Sequence, residues 1–253
     1  MGIRMLVVQR KKHGICVANI WYAEERSKLK GIIQYYASMV PIGKNAEESF
    51  TLLSDLRESE EEMVAHFSKS CKYKVNRAVR EGVTWEIKDA AQITDDDLQK
   101  FLKFFLEFRE SKGFEEADDR KILRDMKALR DVGALSMSVA LVNGTAIVYH
   151  THVVEHKYAR LYQSASLYRV DDSIPPNVVG MANRRLHKED MLHFKQNGQQ
   201  FYDWGGAGLG EDVASITEFK ESFGGERVRF YHCYEVVGIK AKLARALIGL
   251  KSR

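Results

Sequence analysis

One stretch of the chain, residues 200–225, combines residue types that could do chemistry. It reads QFYDWGGAGLGEDVASITEFKESFGG. A short apolar strand pattern with Tyr202 ends in the carboxylate of Asp203, and a short helix pattern carries Phe219 and Lys220. Four glycines lie between them: Gly205, Gly206, Gly208 and Gly210. A carboxylate within hydrogen-bond reach can orient or deprotonate an amine. A turn-capping aspartate in a plain connecting turn is the alternative interpretation.

Two histidines form a second group. His150 and His152 are two residues apart in a strand pattern, so their side chains share one face of the strand. They could act as a base or contact a substrate. Gln163 in the next strand pattern and Tyr202 are substrate-binding candidates. No third ligand is evident beside them, so no metal site is predicted.

Composition sets the class of protein. The 253 residues are 45% apolar and 29% charged, which is typical of a globular chain of one large domain or a domain with a smaller lobe. The net charge of +4 permits an anionic ligand without indicating DNA. No apolar run reaches the roughly 18 residues of a membrane span. A cytoplasmic location is predicted.

The cysteines also indicate a cytoplasmic location. Cys16, Cys71 and Cys233 are scattered and lack metal-ligand or redox spacing. They are typical of reduced structural thiols in the cytosol, and none has the activating surroundings of a nucleophile.

The N-terminal elements come from apolar patterns and capping signals. Residues 3–8 and 15–22 predict a strand hairpin, and residues 24–39 predict a helix. Ser59 and Thr94 are each followed by three acids, which is typical of a helix N-terminus. The phenylalanines at helical spacing in 101–108 are interpreted as core.

A basic helix is predicted over residues 69–82. Its cations are Lys69, Lys72, Lys74, Arg77 and Arg80. The segment is either a solvated helix face or a patch that faces an anion, and Arg77 is the substrate-binding candidate in the second case.

The second half of the chain predicts an antiparallel meander. Strand patterns at 135–142, 145–154 and 158–167 follow one another, and Asn143 with Gly144 is a two-residue hairpin signal. After two prolines, residues 177–197 predict a helix, followed by strands near 201–204 and 228–237. Residues 239–253 predict a basic amphipathic helix that is packed or frayed, with membrane-surface contact as an alternative.

This order of elements resembles the GNAT acyltransferase superfamily, and more specifically its FemAB-like branch. The pieces that carry the resemblance lie within residues 51–234: TLLSDLRESEEEM, KYKVNRAVREGVTWEI, VALVNGTAIVYHTHVV, HFKQNGQQFYDWGG and EFKESFGG. The resemblance implies an α+β fold with a GNAT-like mixed, mainly antiparallel sheet flanked by helices. We expect this domain over residues 51–238, with a small strand and helix lobe at 1–50 packed on it.

The resemblance also implies a donor site. Family members that bind coenzyme A carry Arg/Gln-x-x-Gly-x-Gly/Ala where the helix after the meander begins. Here Asn177 replaces the long polar residue, whereas Gly180 and Ala182 fall in register. Small residues let the backbone approach phosphate, although a helical glycine can also serve tight packing. Acyl-CoA is the expected donor. Aminoacyl-tRNA, used by FemAB-like enzymes, fits the altered motif equally well.

The implied chemistry is direct acyl transfer to an amine. In the family pattern the Phe-Lys pair lies near the reacting carbonyl, so Phe219 would contact substrate and Lys220 would face the oxyanion. The implied acceptor is an envelope-related small-molecule or lipid-linked amine, such as an amino sugar of polysaccharide biosynthesis, at the inner face of the membrane or in the cytoplasm. A homodimer is compatible with this function. A non-catalytic binding module with the same fold is the further alternative.

Overall fold

The computed structural model describes residues 5–167, 173–206 and 214–251, with the side chains of 248–251 left aside. The strands in these ranges are β1 (Leu6–Lys12), β2 (Ile15–Trp21), β3 (Gly31–Ser38), β4 (Ala46–Asp55), β5 (Val83–Asp89), β6 (Leu135–Val142), β7 (Thr145–Val154), β8 (Tyr158–Ser166), β9 (Phe201–Asp203) and β10 (Glu226–Val237). The helices are α1 (Glu60–Ala65), α2 (Lys69–Arg80), α3 (Asp95–Ser111), α4 (Asp119–Asp131), α5 (Pro176–Gln196), α6 (Ala214–Glu221) and α7 (Ile239–Lys251). Gly208 and Gly210 lie outside the described residues.

The chain divides into two compact units. The first contains residues 1–51, 206–208 and 227–253, and the second contains residues 52–205 and 209–226. The first unit therefore groups β10 and α7 with the N-terminal strands. The sequence prediction had placed β10 in the same domain as the meander.

In the first unit the strands follow the order β1-β2-β3-β10. The predicted hairpin is confirmed, because β1 and β2 pair antiparallel from Leu6 opposite Trp21 to Lys12 opposite Ile15. The strands β2 and β3 are parallel, whereas β3 and β10 are antiparallel.

The helix predicted over residues 24–39 is wrong. Residues 31–38 form β3, in which Ile33, Tyr35 and Ala37 are fully buried at alternate positions. Burial with a period of two is the pattern of a strand. The β-branched and aromatic residues of this segment also favour a strand once β2 and β10 lie on either side of it.

In the second unit the strands follow the order β4-β9-β8-β7-β6-β5, with residues 52–55 contributed by β4. The strands β5, β6, β7 and β8 pair antiparallel in succession, so the predicted meander is confirmed. Asn143 and Gly144 have φ of 51° and 79°, as a tight hairpin between β6 and β7 requires. The strands β8 and β9 are parallel, and β9 pairs antiparallel with β4.

Helices pack on both faces of this second sheet. Val178, Ala182 and Leu186 of α5 are at most 4% exposed and pack against the buried Val148 and Ile147 of β7. On the other face, Tyr149 of β7 contacts the rings of the α3 phenylalanines Phe101 and Phe104. The aromatic run of α3 is therefore core, as predicted.

The helix starts predicted from capping signals are confirmed. Ser59 and Glu62 form a capping box at α1, and Thr94 and Asp97 form another at α3. Each box satisfies two backbone amides that the helix would otherwise leave without partners. None of the helices in the described ranges is long and apolar enough to cross a membrane.

A glycine fixes the turn that follows β9. Gly205 has φ of +68°, and a Cβ on it would lie 2.3 Å from the carbonyl oxygen of Leu161 in β8. Its neighbour Gly206 also has a positive φ, +81°, but a Cβ there would meet no atom within 4 Å. Of these two glycines, Gly205 alone combines a left-handed backbone with a close contact to a neighbouring strand.

We expect Gly205→Ala to lower the free energy of unfolding by about 2–4 kcal/mol, since it adds a steric conflict to the cost of a left-handed alanine. The matched variant Gly206→Ala carries only the backbone cost, about 1 kcal/mol. Urea unfolding of both variants measures the difference. Equal losses would show that the contact with Leu161 is unimportant.

Candidate active site

The strands β8 and β9 separate in the middle of the second sheet. Their parallel pairing ends where Arg160 lies opposite Asp203, whereas β8 continues to Ser166. Just beyond Arg160 the register of β8 with β7 shifts, so that Tyr162 is an extra residue in β8. Such a bulge bends a strand and redirects its side chains. Beyond Arg160 this side of β8 has no partner strand in the described part of the chain.

Lys220 of α6 reaches the turn at this point. Its ammonium is buried, with 8% of the residue exposed, and it donates a hydrogen bond to the carbonyl oxygen of Gly205 at 3.1 Å. Burial lowers the pKa of Lys220 to about 8, helped by the charge of Arg160 and opposed by that of Asp203. Buried lysines with lowered pKa values are concentrated at functional sites.

Asp203 holds the same turn from the other side. One carboxylate oxygen forms a salt bridge of 2.5 Å with Arg160, and the other accepts the Gly205 amide at 2.9 Å. Asp203 itself is fully buried. These contacts are those of the turn-capping interpretation, because both oxygens already have partners. The structure thus brings Asp203 and Lys220 to one turn, where Asp203 fixes the backbone that Lys220 binds.

Phe219 precedes Lys220 and packs inward from α6. Its ring lies 5.6 Å from that of His187 and 5.5 Å from that of Phe223. The guanidinium of Arg184 lies 4.6 Å from its centre, within the range of a cation–π contact. Arg184 also donates to the carbonyl of Gly180 at 3.1 Å. Phe219 therefore connects α6, which carries Lys220, to α5.

A buried polar cluster lies between α5 and the sheet. We call it the imidazole cluster; its members are His150, His152, His187, Asp190 and Tyr202, each at most 1% exposed. The Nδ1 atom of His150 lies 2.7 Å from a carboxylate oxygen of Asp190. The hydroxyl of Tyr202 lies 3.0 Å from Nε2 of His152 and 2.9 Å from Nδ1 of His187. The phenol thereby links β9 to β7 and to α5.

Burial controls the charges in the imidazole cluster. It lowers the pKa of His152 to about 4 and that of His187 below its usual value. It also raises the pKa of Tyr202. Burial alone would raise the pKa of Asp190, but the charge of His152 and the hydrogen bond of His150 outweigh it, so this pKa is lowered. At neutral pH the Tyr202 hydroxyl therefore lies between two neutral imidazoles, donating to one and accepting from the other.

Part of this cluster has the composition of a metal site. His150, His187 and Asp190 each offer a ligand atom, and these atoms lie within 4.8 Å of one another. However, the rings of His150 and His187 are stacked with centroids 4.0 Å apart and planes 26° apart. Nearly parallel rings place their nitrogen lone pairs in separate planes, and both ring nitrogens of His150 already have hydrogen-bond partners, Asp190 and Asn183. A hydrogen-bonded network fits this geometry better than a metal site.

Two cluster members were missed in the sequence. His187 and Asp190 are three residues apart in α5, which places them on one helix face. This is the face that also carries the buried Leu186 and Phe194. The sequence signal that could have identified them is a histidine and an aspartate on the apolar side of a predicted helix. Their pairing with β7 depends on the packing of α5 on the sheet.

The coenzyme A motif candidates lie at the start of α5. Asn177 is exposed, and Ala182 is fully buried in the core. Among the described residues, a Cβ on Gly180 would meet only the guanidinium of Arg184, at 4.0 Å. Gly180 is therefore not required for helix packing and leaves an open surface beside a cation. Pro175 and Pro176 begin the helix without a side-chain cap.

The remaining candidates lie apart from this turn. Arg77 is exposed on α2 and contacts Tyr73 of the same helix and Glu81, the residue that caps its C-terminus. Gln163 lies on β8, opposite Thr151, in the part beyond the pairing with β9. Its side-chain oxygen is buried and has no hydrogen-bond partner among the described residues.

Comparisons with known proteins identify the fold. No protein-family profile and no curated protein sequence matches the chain. Among solved structures, FemX has a TM-score of 0.63 at 11% identity, covering 96% of this chain and 86% of its own. L-PGS from Bacillus licheniformis has a TM-score of 0.55 at 12% identity, covering 97% and 86%. The C-terminal domain of a protein described as a lysylphosphatidylglycerol synthetase, from Agrobacterium fabrum, has a TM-score of 0.56 at 14% identity. The match covers 95% of this chain and 83% of that domain.

Identities this low concern the fold alone. The predicted fold class is confirmed: the chain is α+β, with a mixed, mainly antiparallel sheet flanked by helices, and its fold is similar to that of FemX.

Proposed function

We propose that the protein is an N-acyltransferase that moves an acyl group from acyl-CoA directly to an amino group of an envelope-related precursor such as an amino sugar. The observation that carries the proposal is the buried ammonium of Lys220, held by Gly205 at the point where β8 and β9 separate. Fold similarity to FemX supports the reaction class.

The physical basis is the charge that develops during acyl transfer. Attack on a carbonyl places negative charge on its oxygen, and a preorganised cation in a water-poor site stabilises that charge strongly. A lysine with a pKa of about 8 is mostly protonated at neutral pH. The charge of Asp203 offsets part of the cost of burying the ammonium, and a transient oxyanion would add a second favourable interaction.

The surrounding residues suit direct transfer. Arg160 and Asp203 fix the turn that binds Lys220, and Phe219 fixes the helix that carries it. Burial raises the pKa of the thiols of Cys71 and Cys233, so neither is a ready thiolate nucleophile. We therefore assign no covalent intermediate to the protein.

The catalytic candidates His150 and His152 take a different role in this proposal. Both are fully buried and bonded within the imidazole cluster, so neither contacts an acceptor directly. We assign them to positioning Tyr202 and, through it, the strand that leads to Asp203. Gln163, whose side-chain oxygen is unpaired among the described residues, is the proposed contact of the acceptor.

The proposed donor contact is the open surface at Gly180. It lies near the N-terminal end of α5, where the helix dipole favours phosphate, with the cation of Arg184 one turn further along. Asn177 lies exposed at the same end. Together these residues would bind the pyrophosphate of coenzyme A.

One observation favours a second donor. Pro175 and Pro176 have no amide hydrogen, so α5 begins with fewer free donors for phosphate than an ordinary helix. An aminoacyl-tRNA donor does not need this cradle, and the exposed cations of α2, including Arg77, would contact the RNA backbone. This is the alternative function, with a peptidoglycan precursor as acceptor.

We expect Lys220→Ala to lower turnover by about 10²- to 10³-fold, the scale for the loss of one oxyanion donor. Turnover is measured with acyl-CoA and amino sugars as substrates, and amide formation is monitored through the release of the coenzyme A thiol. Glu218→Ala, on the exposed face of the same helix, is the control. Thermal unfolding should show a stable variant, because the substitution removes a buried charge. Unchanged turnover would remove Lys220 from the site.

The pH dependence should report the charge of Lys220. Its lowered pKa means that the ammonium is present below about pH 8 and is lost as the pH rises through that value. In Lys220→Arg the guanidinium stays charged. We expect the ratio of wild-type to Lys220→Arg turnover to be constant at low pH and to fall above about pH 8. Deprotonation of the acceptor amine cancels in this ratio. A flat ratio would contradict the role of the ammonium.

Coenzyme A binding tests the donor. Calorimetry should detect binding to the wild-type protein, and Gly180→Leu should weaken it at least about tenfold by filling the open surface. The helix should tolerate the change, since leucine is a better helix former than glycine. Gln196→Leu, exposed at the other end of α5, is the control. No binding by the wild type would exclude this donor and leave aminoacyl-tRNA or a binding module.

A further inference from the structure

The last helix presents an apolar stripe to solvent. In α7, Ile239, Leu243 and Leu247 are 79%, 61% and 64% exposed. They are four residues apart, so they form one continuous row along the helix. The opposite side of α7 packs on the first unit through Ala241, which is 3% exposed. The larger apolar residues of α7 with described side chains thus face outward, while a small one faces the core.

This is the reverse of an ordinary surface helix. In α2, for example, Cys71, Val75 and Ala78 face the core and the cations lie outside. A helix normally buries its apolar face and solvates its polar face. Three large exposed aliphatic residues in one row gain nothing from water, so the row is suited to a partner surface.

Charges border the stripe. At 100° per residue, Lys240 and Lys242 flank the row on its two sides, and both are exposed. Arg245 adds a third cation and lies over the ring of Tyr234 on β10, 5.8 Å from its centre. The sequence of α7, IKAKLARALIGLK, contains no aspartate or glutamate. The outer surface of this helix is therefore apolar along its middle and cationic at its edges.

We infer that α7 docks on the surface of an anionic phospholipid bilayer, with its apolar stripe among the acyl chains and its lysines at the headgroups. Apolar residues bordered by cations are the pattern of helices that lie in the membrane interface. A second copy of the chain suits the stripe less well. A two-fold pairing of α7 would bring lysines of both copies together without a carboxylate in the helix to neutralise them.

The inference does not rest on the proposed transferase activity, because its test measures binding alone. The full-length protein is mixed with vesicles of phosphatidylglycerol and phosphatidylcholine, or of phosphatidylcholine alone, and floated on a density gradient. We expect flotation with the anionic vesicles only, and its loss at about 1 M salt, where charges are screened beyond about 3 Å.

Variants separate the contribution of the apolar stripe from that of the flanking lysines. The double variant Leu243→Glu and Leu247→Glu should abolish flotation, and Lys240→Gln should lower the partition coefficient about fivefold. Val132→Glu, at a valine after α4 that is 49% exposed, should float like the wild type.

Three results would overturn the inference. They are an absence of flotation by the wild type, equal flotation with neutral vesicles, and flotation that survives the double leucine variant. Light scattering without lipid accompanies the test. A dimer that the leucine variant dissociates, together with no vesicle binding, would assign the stripe to a second copy instead.

Discussion

The close approach of Gly205 to β8 is the constraint on which the rest of the candidate site depends. The space beside the carbonyl of Leu161 admits no side chain, so only glycine lets the turn after β9 lie against the neighbouring strand. That position directs the Gly205 carbonyl to Lys220 and its amide to Asp203. A buried cation, a buried carboxylate and the end of the β8 and β9 pairing therefore meet at one residue that has no side chain.

The imidazole cluster supports this turn from within the second unit. Burying five polar side chains between a helix and a sheet is unfavourable unless their hydrogen-bonding groups find partners. Tyr202 provides two of these contacts, through His152 and His187, and Asp190 provides another through His150. Because Tyr202 directly precedes Asp203 in β9, the network also fixes the strand that ends at the turn. Polar groups with fixed partners in a low-dielectric interior specify a single arrangement of side chains.

Burying the ammonium of Lys220 is unfavourable for the stability of the protein. Burial lowers the pKa of Lys220, and apolar packing at the same position would be more favourable for stability alone. Sites that trade stability for charge placement are typical of function. The outward apolar stripe of α7 is a second local conflict, since exposed Leu243 and Leu247 contribute nothing to the folded core. The proposed oxyanion would resolve the first conflict, and the proposed lipid surface would resolve the second.

The sequence by itself determined the local elements of the protein. Capping residues such as Ser59 and Thr94, and the hairpin pair Asn143 and Gly144, act through their own backbone, so their positions were readable without the fold. The order of meander, helix and strand carried the family resemblance, and with it Lys220. Residues 24–39 were predicted wrongly because an apolar segment between two strands takes its conformation from its neighbours.

Only the tertiary structure decided which polar groups meet. His150 and Asp190 are 40 residues apart in sequence, and Asp203 and Arg160 are 43 apart. Their contacts exist because α5 packs on β7 and because β9 inserts beside β8. The same packing buried His152 and lowered its pKa, whereas the spacing of the two histidines indicated only a shared face. The sequence pattern predicts on which face of an element a side chain lies. Its burial and its hydrogen-bond partners depend on elements from elsewhere in the chain, so the pattern does not predict them.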